Sequence, residues 1–143
     1  MPNSLFFFSE SINFRLREVR KRRAWMMKVI EAEGKVAGTL NYIFCSDEYL
    51  HQMNVQYLAH DTLTDVITFD YCEFPMISGD IYISITRVKE NAKIFHHSFN
   101  EELNRVMVHG LLHLCGYKDK RKAETIIMRQ KEDLYLQLLR SDY

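Results

Sequence analysis

"DTLTDVITFDYCEFPMISGDIYISI", residues 61–85, decides how this chain is built. Its first part, through Tyr71, is β-branched and aromatic and predicts a strand. "CEFPMISG", residues 72–79, holds Pro75 and Gly79 and predicts a turn or loop. "DIYISI", residues 80–85, alternates and predicts the next strand. So short a connection makes the two strands a hairpin. On either side the pattern changes from strand to helix and back. "SLFFFSE" predicts an edge or near-edge strand, and the run from about Phe14 to Glu33 a helix. That helix has Phe14, Val19, Met26, Val29 and Ile30 as its apolar stripe and Gly34 as its stop. "VAGTLNYIFCS" predicts a second strand. Ser46-Asp47 opens a second helix, with Leu50, Met53, Tyr57 and Leu58 on one side.

Past the hairpin, three helices are predicted: "TRVKENAKIF", "SFNEELNRVMVHGLLHLCG" and "KAETIIMRQKEDLYLQLLR". Ser98 or Asn100 caps the middle one, and Glu101 and Glu102 suit its positive N-terminal end. The order β-α-β-α-β-β-α-α-α gives an α+β (α/β-like) fold: a small mixed four-stranded sheet with about five helices. The length of 143 residues suits one domain, taken as residues 1–143.

The composition, 47% hydrophobic and 27% charged, is that of a globular chain and argues against disorder. No apolar run approaches the ~20 residues of a membrane span. The N-terminal segment lacks a basic flank and a small-residue cleavage site, so the expected location is cytoplasmic. Cys45, Cys72 and Cys115 are expected to be reduced thiols, and without a CxxC pair they make no structural zinc site. Basic and acidic residues balance at 19 each, yet Arg15, Arg17, Arg20, Lys21, Arg22, Arg23 and Lys28 cluster, as do Lys118, Lys120, Arg121 and Lys122. Such clusters are either solvated faces or footing for a polyanion.

The chemistry is concentrated in "HGLLHLCGYKDK", residues 109–120. His109 and His113 lie four apart on a predicted helix and can direct two imidazoles at one ion. Gly116 suits a left-handed stop that turns the chain back beside the helix end. Asp119 is the strong metal ligand in "GYKDK". Two histidines and a carboxylate leave a position open, as a catalytic zinc requires. Gly110 stands where an HExxH peptidase has its glutamate and can do no acid-base work, which argues against zincin-type proteolysis.

"HGLLHLCGYKD" resembles the HGxLHLxGYDH signature of the YbeY-type endoribonuclease and rRNA maturation factor family. "MNVQYLAHDTLTDVITFDY" and "SGDIYIS" are similar to two further segments of that family, so the likeness spans about residues 37–135. The resemblance implies a zinc-dependent, single-strand-specific endoribonuclease. Its implied partner is RNA, namely ribosomal RNA and the small subunit at its 3′ end, with no DNA and no membrane. It also implies that His109 and His113 are the first two ligands. The family's third ligand, a histidine, is replaced here by Asp119, and its preceding aspartate by Lys118. A carboxylate ligand makes other divalent transition metals harder to exclude. The arginine common after the family tyrosine is Leu58 here. His60, Arg105 and Lys118 are the candidates to replace it as catalytic residues. Two other readings compete: a metallopeptidase-like hydrolase, and a non-catalytic assembly factor whose zinc is structural.

Asp65 is expected to cap or orient a neighbour, or to hydrogen-bond a ligand histidine. Asp80 is expected to fix the hairpin, Cys115 to pack away from the metal face, and Trp25, Phe44 and Tyr82 to line the core or a groove.

Overall fold

The computed structural model describes residues 4–58 and 64–142. Among these residues nine elements follow in the order expected: β1 (Leu5–Glu10), α1 (Val19–Ala32), β2 (Val36–Cys45), α2 (Asp47–Leu58), β3 (Val66–Asp70), β4 (Met76–Ser84), α3 (Ile85–Ile94), α4 (Phe99–Leu114) and α5 (Lys122–Asp142). The four strands form one sheet in the order β1-β2-β4-β3. β1, β2 and β4 run parallel, and β3 pairs antiparallel with β4, so the sheet is mixed and 61–85 does contain a hairpin.

Strand alternation sends Leu40, Tyr42 and Phe44 of β2 and Ile77, Ile81 and Ile83 of β4 to one face. They meet Trp25, Met26, Val29 and Ile30 of α1, the apolar side of α4, and Met128, Tyr135, Leu136 and Leu139 of α5. Two polar tips inside this core are satisfied by backbone. Trp25 donates to the Tyr135 carbonyl at 2.7 Å and Tyr42 to the Met107 carbonyl at 2.8 Å. The opposite face is covered by α2, with Cys45, Leu50 and Ile67 at the centre and Tyr49, Met53, Phe69 and Tyr82 around them. Trp25 and Phe44 are therefore core, and Tyr82 belongs to the smaller cluster. Among the described residues no helix is long and apolar enough to cross a membrane.

Three expectations need correction. The first helix starts at Val19, not Phe14. Glu18 has φ 50°, a left-handed conformation that a helix interior does not accept. Phe14 is instead an aromatic plug from an irregular segment, edge-on to Phe44 and Phe99 with ring centroids 5.2 and 6.0 Å away. The loop after β3 is shorter than 72–79, because β2 extends far enough to pair Val36 with Met76 and Ala37 with Ile77. Pro75 precedes the first residue of β4, a position that lacks the need for an N–H. Asp80 does not fix the hairpin. It accepts from Asn41 at 3.0 Å and so ties β4 to β2. Two members of the basic cluster are also part of the framework: Arg22 is buried against Asn100 and Asn104, and Arg23 donates to the Leu5 carbonyl.

Gly110 fixes how closely α4 approaches the sheet. A Cβ at this position would lie 2.8 Å from Cγ2 of the buried Ile81 and 3.6 Å from Thr68. Alanine gains about 1 kcal/mol in helix propensity over glycine. Overpacking a dense core costs about 1–3 kcal/mol, so Gly110→Ala is expected to lose stability on balance. Urea denaturation checks this; a more stable variant would mean that α4 moves off the sheet easily. The same geometry turns residue 110 toward the sheet, so a glutamate here would enter the core.

Candidate metal centre

α4 begins with a capped turn, Ser98 Oγ accepting from the Glu101 N–H at 3.1 Å. It ends in a Schellman motif. The Gly116 N–H donates to the His113 carbonyl at 3.0 Å and the Tyr117 N–H to the Leu112 carbonyl at 3.1 Å. Gly116 has φ 112°, a conformation that favours glycine. The chain thus reverses where expected and brings Asp119 back beside the helix. Thr125, in the first turn of α5, donates to the Asp119 carbonyl at 3.1 Å and holds the returning loop.

His109, His113 and Asp119 converge. The two Nε2 atoms are 3.0 Å apart, and Asp119 Oδ2 lies 3.3 Å from His109 Nε2 and 3.5 Å from His113 Nε2. Among the described residues they form a group whose ligand atoms all lie within 4.8 Å of one another. A tetrahedral ion with bonds of about 2.0–2.1 Å has edges of roughly 3.3 Å, which is the size of this triangle.

The outer ring nitrogens explain the orientation. His109 Nδ1 donates to Glu132 Oε2 at 2.7 Å, and His113 Nδ1 donates to the Tyr117 carbonyl at 2.9 Å. Both acceptors call for a proton on Nδ1 and turn an unprotonated Nε2 inward, the tautomer a ligating histidine needs. Two such lone pairs 3.0 Å apart, with a carboxylate beside them, form a donor set that fits a divalent cation. Burial works against charge on His109, but the hydrogen bond and charge of Glu132 outweigh it and raise the imidazole pKa. Burial and the neighbouring His109 lower that of His113. The Glu132 carboxyl is lowered: burial opposes this, but its bonds to His109 and Arg105 prevail.

Arg105 lies one turn before His109 and lines the same cleft, yet it is committed to two carboxylates. It meets Glu132 at 2.9 Å and Asp133 at 2.8 Å. Lys118 is exposed, with no hydrogen bond or ion pair among the described residues. His60 lies outside the described residues. Asp65 also lines the cleft, but the carboxylate bonded to His109 is Glu132. Burial pushes the Asp65 carboxyl up, against the pull of His109. Cys115 is buried as expected, its thiol pushed up to about 12 by burial.

Sequence reasoning missed Glu132 and the carbonyl of Tyr117. Glu132 had a signal: it interrupts the buried stripe Met128, Tyr135, Leu136 and Leu139 of α5 with a carboxylate that is 4% exposed. A backbone carbonyl has no signal in sequence.

The class defined by fold and site is an α+β protein with a candidate single-ion centre, built from a helical His-x-x-x-His pair and a carboxylate on the following turn. The family model described as endoribonuclease YbeY matches residues 8–140. An endoribonuclease YbeY of Flavobacterium psychrophilum is 56% identical over 131 residues, covering 92% of this chain and 94% of that one. One of Flavobacterium johnsoniae is 54% identical over 126 residues, covering 88% and 91%. A solution structure from Thermotoga maritima matches with TM-score 0.64 and 28% identity, over 94% of this chain and 88% of that one. The chain belongs to the endoribonuclease YbeY family.

Proposed function

We propose that residues 1–143 form one metal-dependent ribonuclease domain that cuts single-stranded RNA. Zinc is the expected ion, and maturation of small-subunit ribosomal RNA at its 3′ end, with ribosome quality control, is the expected setting. The observation that carries this reading is the triangle of His109, His113 and Asp119, with both Nδ1 atoms held by acceptors. When bound, zinc supplies Lewis acidity toward a phosphoryl oxygen and a nucleophile at neutral pH. The protein's own residues do the rest. Glu132 and the Tyr117 carbonyl keep the two imidazoles in the ligating tautomer. Arg105 keeps Glu132 ionised and in place, so its role is to position, and it is not the cation that meets the substrate. Arg129, on the same cleft wall, pairs with Glu132 at 3.5 Å but keeps a side chain 60% exposed; it and Lys118, next to Asp119, are the cations proposed to receive RNA phosphate.

The test combines elemental analysis of purified protein with cleavage of a labelled single-stranded RNA, before and after chelation. About one zinc per chain is expected, with cleavage lost on chelation, restored by zinc and absent in His113→Ala. Cleavage that survives both chelation and His113→Ala would overturn the reading. Double-stranded RNA and casein serve as substrates expected to stay intact.

A further inference from the structure

Glu33 is the C-cap of α1, far in sequence from the histidine pair. Its carboxylate is 7% exposed and receives three donors: the Tyr117 hydroxyl at 2.6 Å, Lys131 Nζ at 3.2 Å and the Tyr135 hydroxyl. Closing α1 does not need this carboxylate, because backbone bonds from the Glu33 and Gly34 N–H groups already cap the helix. Tyr117 connects it to the candidate metal centre. The phenol end is held by Glu33. The backbone end stands in the Schellman turn and accepts from His113 Nδ1 at 2.9 Å. One residue thus spans from the end of α1 to the imidazole of a candidate ligand, and it starts the segment that leads to Asp119.

We propose that Glu33, acting through Tyr117, is a positioning residue for the metal centre. It fixes the carbonyl against which His113 keeps its Nδ1 proton, and it anchors the loop that returns Asp119. The inference rests on the reading above that His113 and Asp119 are ligands. Tyr135 provides an internal comparison, because it gives Glu33 the same kind of hydrogen bond but lies on α5, away from the loop.

The readouts are zinc affinity, by competition with a chromophoric chelator, and the visible absorption of the cobalt-loaded protein, each beside thermal unfolding of the metal-free protein. Tyr117→Phe keeps the ring and removes only the hydroxyl. It is expected to weaken zinc by up to ~10-fold, short of the ~10–100-fold that follows loss of an outer hydrogen-bond partner, because the carbonyl that accepts from His113 remains and only its anchor is lost, and to shift the cobalt bands. Tyr135→Phe is expected to lower the melting temperature while leaving affinity within about twofold, well short of that outer-partner effect. Glu33→Gln, which retains an acceptor for Tyr117, is expected to bind zinc better than Glu33→Ala. Wild-type affinity in Tyr117→Phe, or equal loss in Tyr135→Phe, would overturn the positioning role alone. Undiminished affinity in both His113→Ala and Asp119→Ala would overturn the ligand assignment, and the positioning role with it.

Discussion

Asp119→Ala protein is expected to leave purification without stoichiometric metal and to bind added zinc at least ~100-fold more weakly, beyond the 10–100-fold seen for outer hydrogen-bond partners. Asp119 Oδ2 is the atom that turns a pair of imidazoles into a three-point site, 3.3 and 3.5 Å from the two Nε2 atoms. With it gone, two neutral nitrogens remain, and RNA cleavage is expected to fall with the metal. The fold is expected to survive, because the side chain is 38% exposed and the loop is still held through the Asp119 carbonyl by Thr125. Asp119→His restores the histidine of the family signature and is expected to retain zinc and cleavage. Elemental analysis with an RNA cleavage assay reads both variants. Full metal retention in Asp119→Ala would place the third ligand elsewhere.

Glu132→Ala is expected to damage stability and metal affinity together. The carboxylate is buried between His109 and Arg105, so truncation takes the acceptor from Nδ1 and one of two partners from a half-buried guanidinium. Breaking one side of a buried pair costs about 3–5 kcal/mol; Arg105 keeps Asp133, so the lower end is expected. Zinc affinity is expected to fall ~10–100-fold. The pH dependence gives a sharper sign. In metal-free protein the Glu132 pKa is depressed on folding, so its contribution is present above its unfolded value and lost as pH falls through the folded one. The His109 pKa is raised, so its contribution is present below its unfolded value and lost as pH rises through the folded one. The pair therefore stabilises most between the unfolded carboxylate and unfolded imidazole pKa values, and its contribution is lost as pH falls through the depressed carboxylate pKa or rises through the raised imidazole pKa. Glu132→Gln, compared with wild type by urea denaturation across pH, is expected to show its largest deficit inside that window. A deficit independent of pH would mean that packing, not charge, is what Glu132 contributes.

Much of this was legible in the sequence because the features are local. Hydrophobic periodicity, β-branched and aromatic runs, and turn and cap residues together gave the nine described elements in their order. The i, i+4 spacing put His109 and His113 on one face of α4, and Gly116 announced the turn that returns Asp119. The errors came where a local pattern met a distant partner. Phe14 has helical spacing with the residues after Val19, but the rings of Phe44 and Phe99 capture it in an irregular segment. Met76 to Gly79 look like loop beside Pro75, but Val36 and Ala37 of β2 draw the first of them into β4. Arg105 faces the cleft one turn from His109 as its spacing implied, but spacing gave no sign that Glu132 and Asp133 from α5 pair with it.

The sequence by itself determined the element order, the three candidate ligands and the absence of a peptidase glutamate at Gly110. Each of these depends on residue types a few positions apart. Only the tertiary structure decided that residue 110 faces Ile81, that Glu132 and the Tyr117 carbonyl set the two imidazoles, and that Glu33 holds Tyr117. Those contacts join residues 23 to 84 positions apart, apart from the i, i+4 bond of His113 to Tyr117, whose acceptor is backbone. Chain spacing says nothing of such contacts until the helices have packed against the sheet, and a carbonyl is the same group in every residue.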